Sequence, residues 1–334
     1  MGDRDAHPVH VKERDVIFNM NESLDLIPLV VVVGPTAVGK TTLGIEIGEE
    51  FEGEIVSADS RQFYRFMDIG TATPTPEERA RVRHHLVNIA DPDETVGLAQ
   101  FLDLARAAIR DIHEREKLPV VVGGTGQYIR GLLRGWQVPN VPPDPELRAE
   151  LETQSPDALW ERLMTLDPDA AEFVDKPNLR RVIRALEVCI KSGRPFSELR
   201  RRIPPPYRVL QLGLTMEREA LYARADTRVE AMIEAGLVEE VKTLLEKGYD
   251  WSLPSMSGLG YSQLKPYFER EATLGEVIER IKLDTHDFIR RQYTWFRPNS
   301  PRIHWIDAQS GKPTKRAREL VAAFLDERPL PDVA

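Results

Sequence analysis

Residues 29–41 read LVVVVGPTAVGKT, an unbroken apolar run that empties into a loop ending on lysine and threonine. A β-rich run without polar alternation is expected of a strand buried on both faces of a parallel sheet. The loop fits G-x-x-x-x-G-K-[ST], with Gly34, Gly39, Lys40 and Thr41 at the defining positions and Pro35, Thr36, Ala37 and Val38 between them. In that pattern the glycines let backbone N–H groups point inward at an anion, and the helix that starts there adds the positive end of its dipole. Lys40 supplies a point charge and Thr41 a hydroxyl suited to Mg²⁺. Leu43 and Ile47, four apart, mark one face of that helix. The pattern predicts a phosphate site and does not say which phosphate.

Outward from this loop the sequence keeps alternating. EIVSAD (54–59) and LPVVVGG (118–124) read as further strands, the second preceded by a helical stretch over 97–116. Strands alternating with helices mean βαβ units and a parallel sheet. Near Val138 the pattern breaks at VPNVPPDPEL, and a second proline cluster, RRIPPPYR, spans 201–208. Helical, charged segments lie between the two. YRVLQLGLT (207–215) then reads as a strand, followed by long helices over 217–247 and from 275 to about 296. The expected fold is α/β: a P-loop NTPase-like parallel sheet flanked by helices, with a helical insertion domain. The expected boundaries are an N-terminal extension (1–27), a core (28–140 and 207–312), an insertion (141–206) and a C-terminal helix or tail (313–334).

Composition narrows the class. The chain has 334 residues, 41% hydrophobic and 30% charged, which excludes a disordered protein. A single cysteine, Cys189, excludes an internal disulfide and a Cys-rich zinc site, and suits a reducing, cytoplasmic setting. The longest apolar run, 26–33, is interrupted by Pro28 and is far shorter than the ~20 residues of a membrane span. The opening residues carry mixed charge and no apolar signal core, so a loose extension is expected rather than an export signal. The seven histidines show no metal-ligand spacing, and the pair at 84–85 reads as structural.

The net charge of −9 argues against a nucleic-acid partner, but its distribution does not. Between 178 and 208 there are nine Lys or Arg against two acids, and between 280 and 302 six against two. In NLRRVIRALEVCIKSG, Leu179, Val182, Ile183, Leu186 and Ile190 form one apolar helix face. Arg180, Arg181 and Arg184 lie off it, available for phosphates or simply solvated.

Kinases and ATPases usually place an acidic residue at a neighbouring strand end to hold Mg²⁺ around a γ-phosphate. Here the strand PVVV runs into GGTGQY and offers Thr125 instead. The strand IVSAD offers Asp59, followed by the polar-aromatic SRQFYRF, which suits an organic substrate better than a metal alone.

GPTAVGKT, SADSRQFYRFMDIGTATP, HHLVNIADP, VVGGTGQYI, LRRVIRALEV, GLGY and RRQYTWFR occur in this order, and ERE-ALYARADTRVEAMIEAGLVEEV precedes GLGY. Together they resemble the tRNA dimethylallyltransferase (tRNA isopentenyltransferase) family over roughly 29–307. The resemblance implies that the phosphate is the diphosphate of dimethylallyl diphosphate and that it leaves. The prenyl group moves to the exocyclic amine of the adenosine just 3′ of a tRNA anticodon. It implies Asp59 as the base and Thr125 as the residue orienting the amine or leaving oxygen. The diphosphate would be held by residues 34–41 and Arg224, with Mg²⁺ on Thr41. Contacts to tRNA are implied for Ser60, Arg61, Gln62, Arg148, Arg180, Arg181, Val182, Ile183 and Arg184, Ser60 and Gln62 holding the flipped base. A monomer acting on the anticodon stem-loop, with no membrane association, is expected.

The chemistry agrees. An adenine exocyclic amine has its lone pair delocalised into the ring and must lose a proton as its C–N bond forms, which a carboxylate can take. The sequence departs from the family at Val38 (usually Ser), Phe66 (Gly), Thr73 (Lys), Gln127 (Leu) and Ser262 (basic). Arg224 and Arg228, four apart beside Asp226 and Glu230, fit surface ion pairs nearly as well as diphosphate contacts. Trp295 and Phe296 read as core. Prenyl transfer to a free adenine nucleotide, a P-loop small-molecule kinase and an idle RNA-binding protein remain as alternatives.

Overall fold

Six strands, all parallel, form the sheet, and a computed structural model describes them within residues 26–330. They are β1 (Ile27–Val33), β2 (Gly53–Ser57), β3 (His84–His85), β4 (Leu118–Val122), β5 (Tyr207–Thr215) and β6 (His304–Asp307), in the order β3–β2–β4–β1–β5–β6. Alternate residues of each strand face opposite layers. Val31, Val56 and Val121 pack into one layer, and Val30, Val32, Ile55, Val120 and Leu212 into the other. Both faces are therefore apolar, which is why these strands read as continuous runs rather than alternating ones.

The helices divide between the faces. Lys40–Glu50 (α1) lies on one side, and Leu98–Glu114 (α2) and Gly126–Leu133 (α3) on the other. Between α3 and β5 the chain leaves the sheet for Pro145–Glu152 (α4), Pro156–Leu166 (α5) and Leu179–Ser192 (α6). These three have a core of their own, with Leu151, Leu159, Leu163, Val182, Ile183 and Leu186 buried together. Of the apolar stripe foreseen on α6, Leu179 at its first turn is instead exposed. The proline-flanked ends of this arm pair with each other, Trp136–Gln137 running antiparallel to Arg201–Arg202. Arg218–Glu234 (α7), Leu237–Glu246 (α8) and Leu274–Trp295 (α9) follow β5.

The structure departs from the sequence expectation at the α7–α8 junction and at its shortest strands. The helix foreseen over 217–247 breaks at Gly236, which adopts φ 100° and caps α8. β6, only four residues long, was not foreseen because so short a run carries no readable period. The expected C-terminal helix runs over Pro313–Leu325 (α10), and its Ala317, Leu320, Val321 and Phe324 complete the layer containing α1. At the other end, β1 already begins at Ile27, paired with Tyr207, and residues 1–25 and 331–334 lie outside the described residues.

Candidate active site

Because β4 lies between β2 and β1, three loops leave adjacent strands at their carboxyl ends, the edge where open α/β sheets bind ligands. The loop after β1 carries 34–41, the loop after β4 carries Thr125, and the loop after β2 carries Asp59.

The first loop curls by placing Ala37 at φ 62° and Gly39 at φ 104°, the left-handed geometry that gathers backbone N–H groups into an anion-binding concavity. Val38 is buried, so the hydroxyl its position lacks is replaced by packing while the backbone donor stays. Not every amide faces inward: the Thr36 N–H donates to Gln292 Oε1 at 2.7 Å. Lys40 lies back across the loop, its Nζ donating to the Pro35 carbonyl at 2.7 Å. Thr41 stands at the first turn of α1, half-buried.

The second and third loops are tied to each other. The Ala58 N–H donates to the Val122 carbonyl at 2.8 Å, and the Thr125 N–H to the Ala58 carbonyl at 3.3 Å. The Thr125 hydroxyl accepts the Ser60 N–H at 3.2 Å. Asp59 turns its own chain, Oδ1 accepting the Arg61 N–H at 3.0 Å, an Asx turn that fixes the carboxylate's orientation. Thr125 is thus more than a turn residue, since its side chain holds the peptide next to Asp59.

The charges converge from α7. Burial lowers the Lys40 ammonium to about 8, with Asp59 pulling it up and Arg228 pushing it further down. Burial likewise depresses the Arg228 guanidinium, against the attraction of Asp59 and with the repulsion of Arg224. A side-chain carbon built on Gly39 would sit 3.7 Å from Arg224 Nη2, which places that guanidinium over the loop. Lys40 and Arg228 thus face the Asp59 carboxylate, and Arg224 lies beside Arg228 over the loop, a cationic excess matched to a polyanion. Arg228, for which the sequence weighs a surface ion pair almost equally against a diphosphate contact, belongs to this cluster, whereas its neighbour Asp226 pairs with His286 at 2.8 Å.

No group of three His, Cys, Asp or Glu among the described residues could hold a metal alone. The Thr41 hydroxyl at the start of α1 fits a cation that takes one or two protein oxygens and completes its shell with substrate phosphates and water, the habit of Mg²⁺.

Of the residues assigned to tRNA, Ser60 joins Thr125, while Arg61 and Gln62 are used internally. Arg61 donates to the Pro254 carbonyl at 2.9 Å and to Ser257 Oγ at 3.2 Å. Gln62 accepts from Ser57 Oγ at 2.9 Å and donates to the Ala72 carbonyl at 3.1 Å, leaving one N–H and further lone pairs free for a base. The others lie on the helical arm. Arg180 and Arg181 are exposed, Arg181 3.5 Å from Asp175. Val182 and Ile183 are buried in the arm's core, so their side chains offer no surface to RNA. Arg148 and Arg184 both pair with the buried Glu187, Arg148 through two hydrogen bonds of 2.8 Å, and Arg184 also donates to the Val141 carbonyl at 2.9 Å. Their guanidiniums therefore lock the arm together first.

A parallel sheet with a glycine loop, lysine and helix at the end of its central strand defines a P-loop α/β protein. Residues 62–299 match the profile of the family described as IPP transferase. A tRNA dimethylallyltransferase of Roseiflexus sp. (strain RS-1) is 54% identical over 305 residues, 90% of this chain and 100% of its own length. One from Chloroflexus aurantiacus (strain ATCC 29366 / DSM 635 / J-10-fl) is 57% identical over 273 residues, 80% of this chain and 92% of its own. The tRNA isopentenylpyrophosphate transferase of Bacillus halodurans superposes with a TM-score of 0.68 at 39% identity, over 90% of this chain and 97% of that one. A eukaryotic dimethylallyltransferase acting on tRNA superposes with 0.80 at 29% identity, over 92% and 81%. The chain belongs to the IPP transferase family.

Proposed function

We propose that this protein transfers the dimethylallyl group of dimethylallyl diphosphate to the exocyclic amine of the adenosine 3′-adjacent to a tRNA anticodon, releasing diphosphate. The observation that carries the reading is the meeting of the phosphate loop, Asp59 and Thr125 at three adjacent strand ends. The names of the relatives support the acceptor and the prenyl group.

The adenine nitrogen attacks the first allyl carbon, the C–O bond to diphosphate breaks with its electron pair on oxygen, and Asp59 takes the amine proton. Thr125, held against Ser60, orients the amine or the departing oxygen. Lys40, Arg224, Arg228 and the loop amides stabilise the charge that grows on the diphosphate. Thr41 would hold Mg²⁺, which would supply further neutralisation of that charge when bound. Positive charge on the allyl group spreads over three carbons, so the protein need supply no covalent help.

The adenosine must leave its stack to reach this crevice, and the free hydrogen-bonding positions of Ser60 and Gln62 suit the splayed base. Arg180 and Arg181 on the arm suit RNA phosphates, while Arg148 and Arg184 maintain the arm that presents them.

The test is transfer of label from radiolabelled dimethylallyl diphosphate, with Mg²⁺, into unmodified tRNA or AMP, beside an ATP-consumption control. Label in tRNA alone is expected. Label in AMP alone would remove the RNA role of the arm, and ATP consumption without label would replace prenyl transfer by phosphoryl transfer.

A further inference from the structure

We infer that Gln292 is a positioning residue that sets the separation between the diphosphate loop and the Thr125 loop, so that prenyl transfer depends on it more than diphosphate binding does. This rests on the prenyl-transfer reading above. Gln292 is only 4% exposed and occupies a stripe of α9 that is otherwise mostly apolar, following Val277, Ile281 and Ile289. An amide in such a stripe needs partners, and it has one on each loop. Its Oε1 accepts the Thr36 N–H at 2.7 Å, and its Nε2 donates to the Gly124 carbonyl at 3.3 Å.

The bridge falls where the sheet stops joining the two loops. The β1–β4 pairing ends at Val32 and Val122, with one more bond from the Gly123 N–H to the Val32 carbonyl. Past that point, among the described residues, no direct hydrogen bond links 34–41 to 123–126, and Gln292 is what spans them. A backbone donor on one side and a backbone acceptor on the other demand a primary amide. Glutamate lacks the donor, methionine lacks both groups, and asparagine is one methylene short. The loop is shaped to receive it: a side-chain carbon on Gly124 would lie 2.3 Å from Gln292 Nε2, and one on Gly126 2.3 Å from Trp295 Cγ. Arg130, one turn along α3 from Gly126, lies over Trp295, its guanidinium 4.8 Å from the ring centroid. The last turns of α9 are thus wedged against both glycines that flank Thr125. Thr125 in turn holds the Ser60 peptide beside Asp59, so the spacing of acceptor groups from the phosphate loop passes through Gln292.

Gln292→Met keeps the length of the side chain and removes both bonds. Single-turnover label transfer at saturating tRNA and donor, together with diphosphate affinity and the thermal midpoint, separates positioning from folding. Thr285→Val on the same helix is the structural control, because it deletes a buried 2.7 Å hydrogen bond to the Ile281 carbonyl far from the loops. Gln292→Met is expected to slow transfer by about 10- to 100-fold, the effect of a misplaced reacting pair, with diphosphate affinity retained. Thr285→Val is expected to transfer at the unaltered rate despite a lower midpoint. Should Gln292→Met not fold, Gly124→Ala displaces the same amide from the loop side and is expected to give the same loss of rate with diphosphate still bound. Transfer at the unaltered rate in the folded variant, or a loss of rate matched by an equal loss of diphosphate affinity, would overturn the inference. Absence of transfer by the unaltered protein would instead remove the reading on which it rests.

Discussion

Lys40 is where the chemistry of a single residue reaches furthest. Its ammonium titrates near 8 because burial outweighs the attraction of Asp59. A diphosphate binds the charged form, so above that pH binding must be accompanied by proton uptake. The KM for dimethylallyl diphosphate is therefore expected to rise through pH 8, by up to about tenfold for each further unit. Lys40→Arg, whose guanidinium stays charged, is expected to flatten the rise in a pH series of initial rates. The same shift acts on stability with a definite sign. The folded value lies below the ordinary lysine value, so between about 8 and about 10.5 the unfolded chain binds more protons, and this group's contribution to stability grows with pH. Lys40 and Asp59 were legible in the sequence because a motif and a strand end place them. Arg228 was only half legible, because an arginine four residues from another and close to Asp226 and Glu230 fits a surface ion pair nearly as well as a diphosphate contact. Gln292 left a fainter signal, an amide on a mostly apolar stripe, which announces buried partners without naming them.

At the scale of the element, α6 illustrates what helical periodicity conveys and what it omits. Its apolar face was readable, but not that Glu187 sits on it, fully buried. Burial pushes that carboxyl up, yet bonds from Arg148, the Asp144 N–H and Arg184 outweigh it and hold the group below the usual carboxylate range. These bonds join α6 to α4 and to the proline linker, so two arginines assigned to RNA from sequence are engaged in closing the arm. Pairing across 39 residues of sequence has no local signature. Glu187→Gln keeps the shape and removes the charge, and is expected to destabilise the arm by about 2 kcal/mol, the worth of hydrogen bonds to an ionised group. Hydrogen exchange reads this directly: α6 amides should lose protection while those of α1 keep theirs. Unchanged protection of α6 would mean that the helices hold without the network.

For the whole molecule, the sequence conveyed a parallel sheet and an arm between proline clusters, since both follow from composition and period. The strand order was not legible, because it depends on which apolar runs meet in space, and β6 and α10 join the sheet only through such contacts. That order brings the loops of β1, β4 and β2 side by side. Within an acidic protein, the basic stretch over 178–208 then suits the polyanion that the proposed function requires. With Arg148 and Arg184 engaged, the exposed cations at the start of α6 are tested by Arg180→Ala with Arg181→Ala. The pair is expected to weaken tRNA binding and to reduce the slope of log affinity against log salt by about 1–2, with transfer at saturating tRNA retained. An unaltered slope would make those arginines a solvated face. The account as a whole turns on Asp59, the carboxylate that the fold sets beside Lys40 of the phosphate loop and the Thr125 loop. Single-turnover transfer by Asp59→Asn, with tRNA and diphosphate binding measured in parallel, tests it most directly. A fall of ~10²–10⁴-fold with both ligands still bound is predicted for loss of the base; transfer at the unaltered rate would contradict the account.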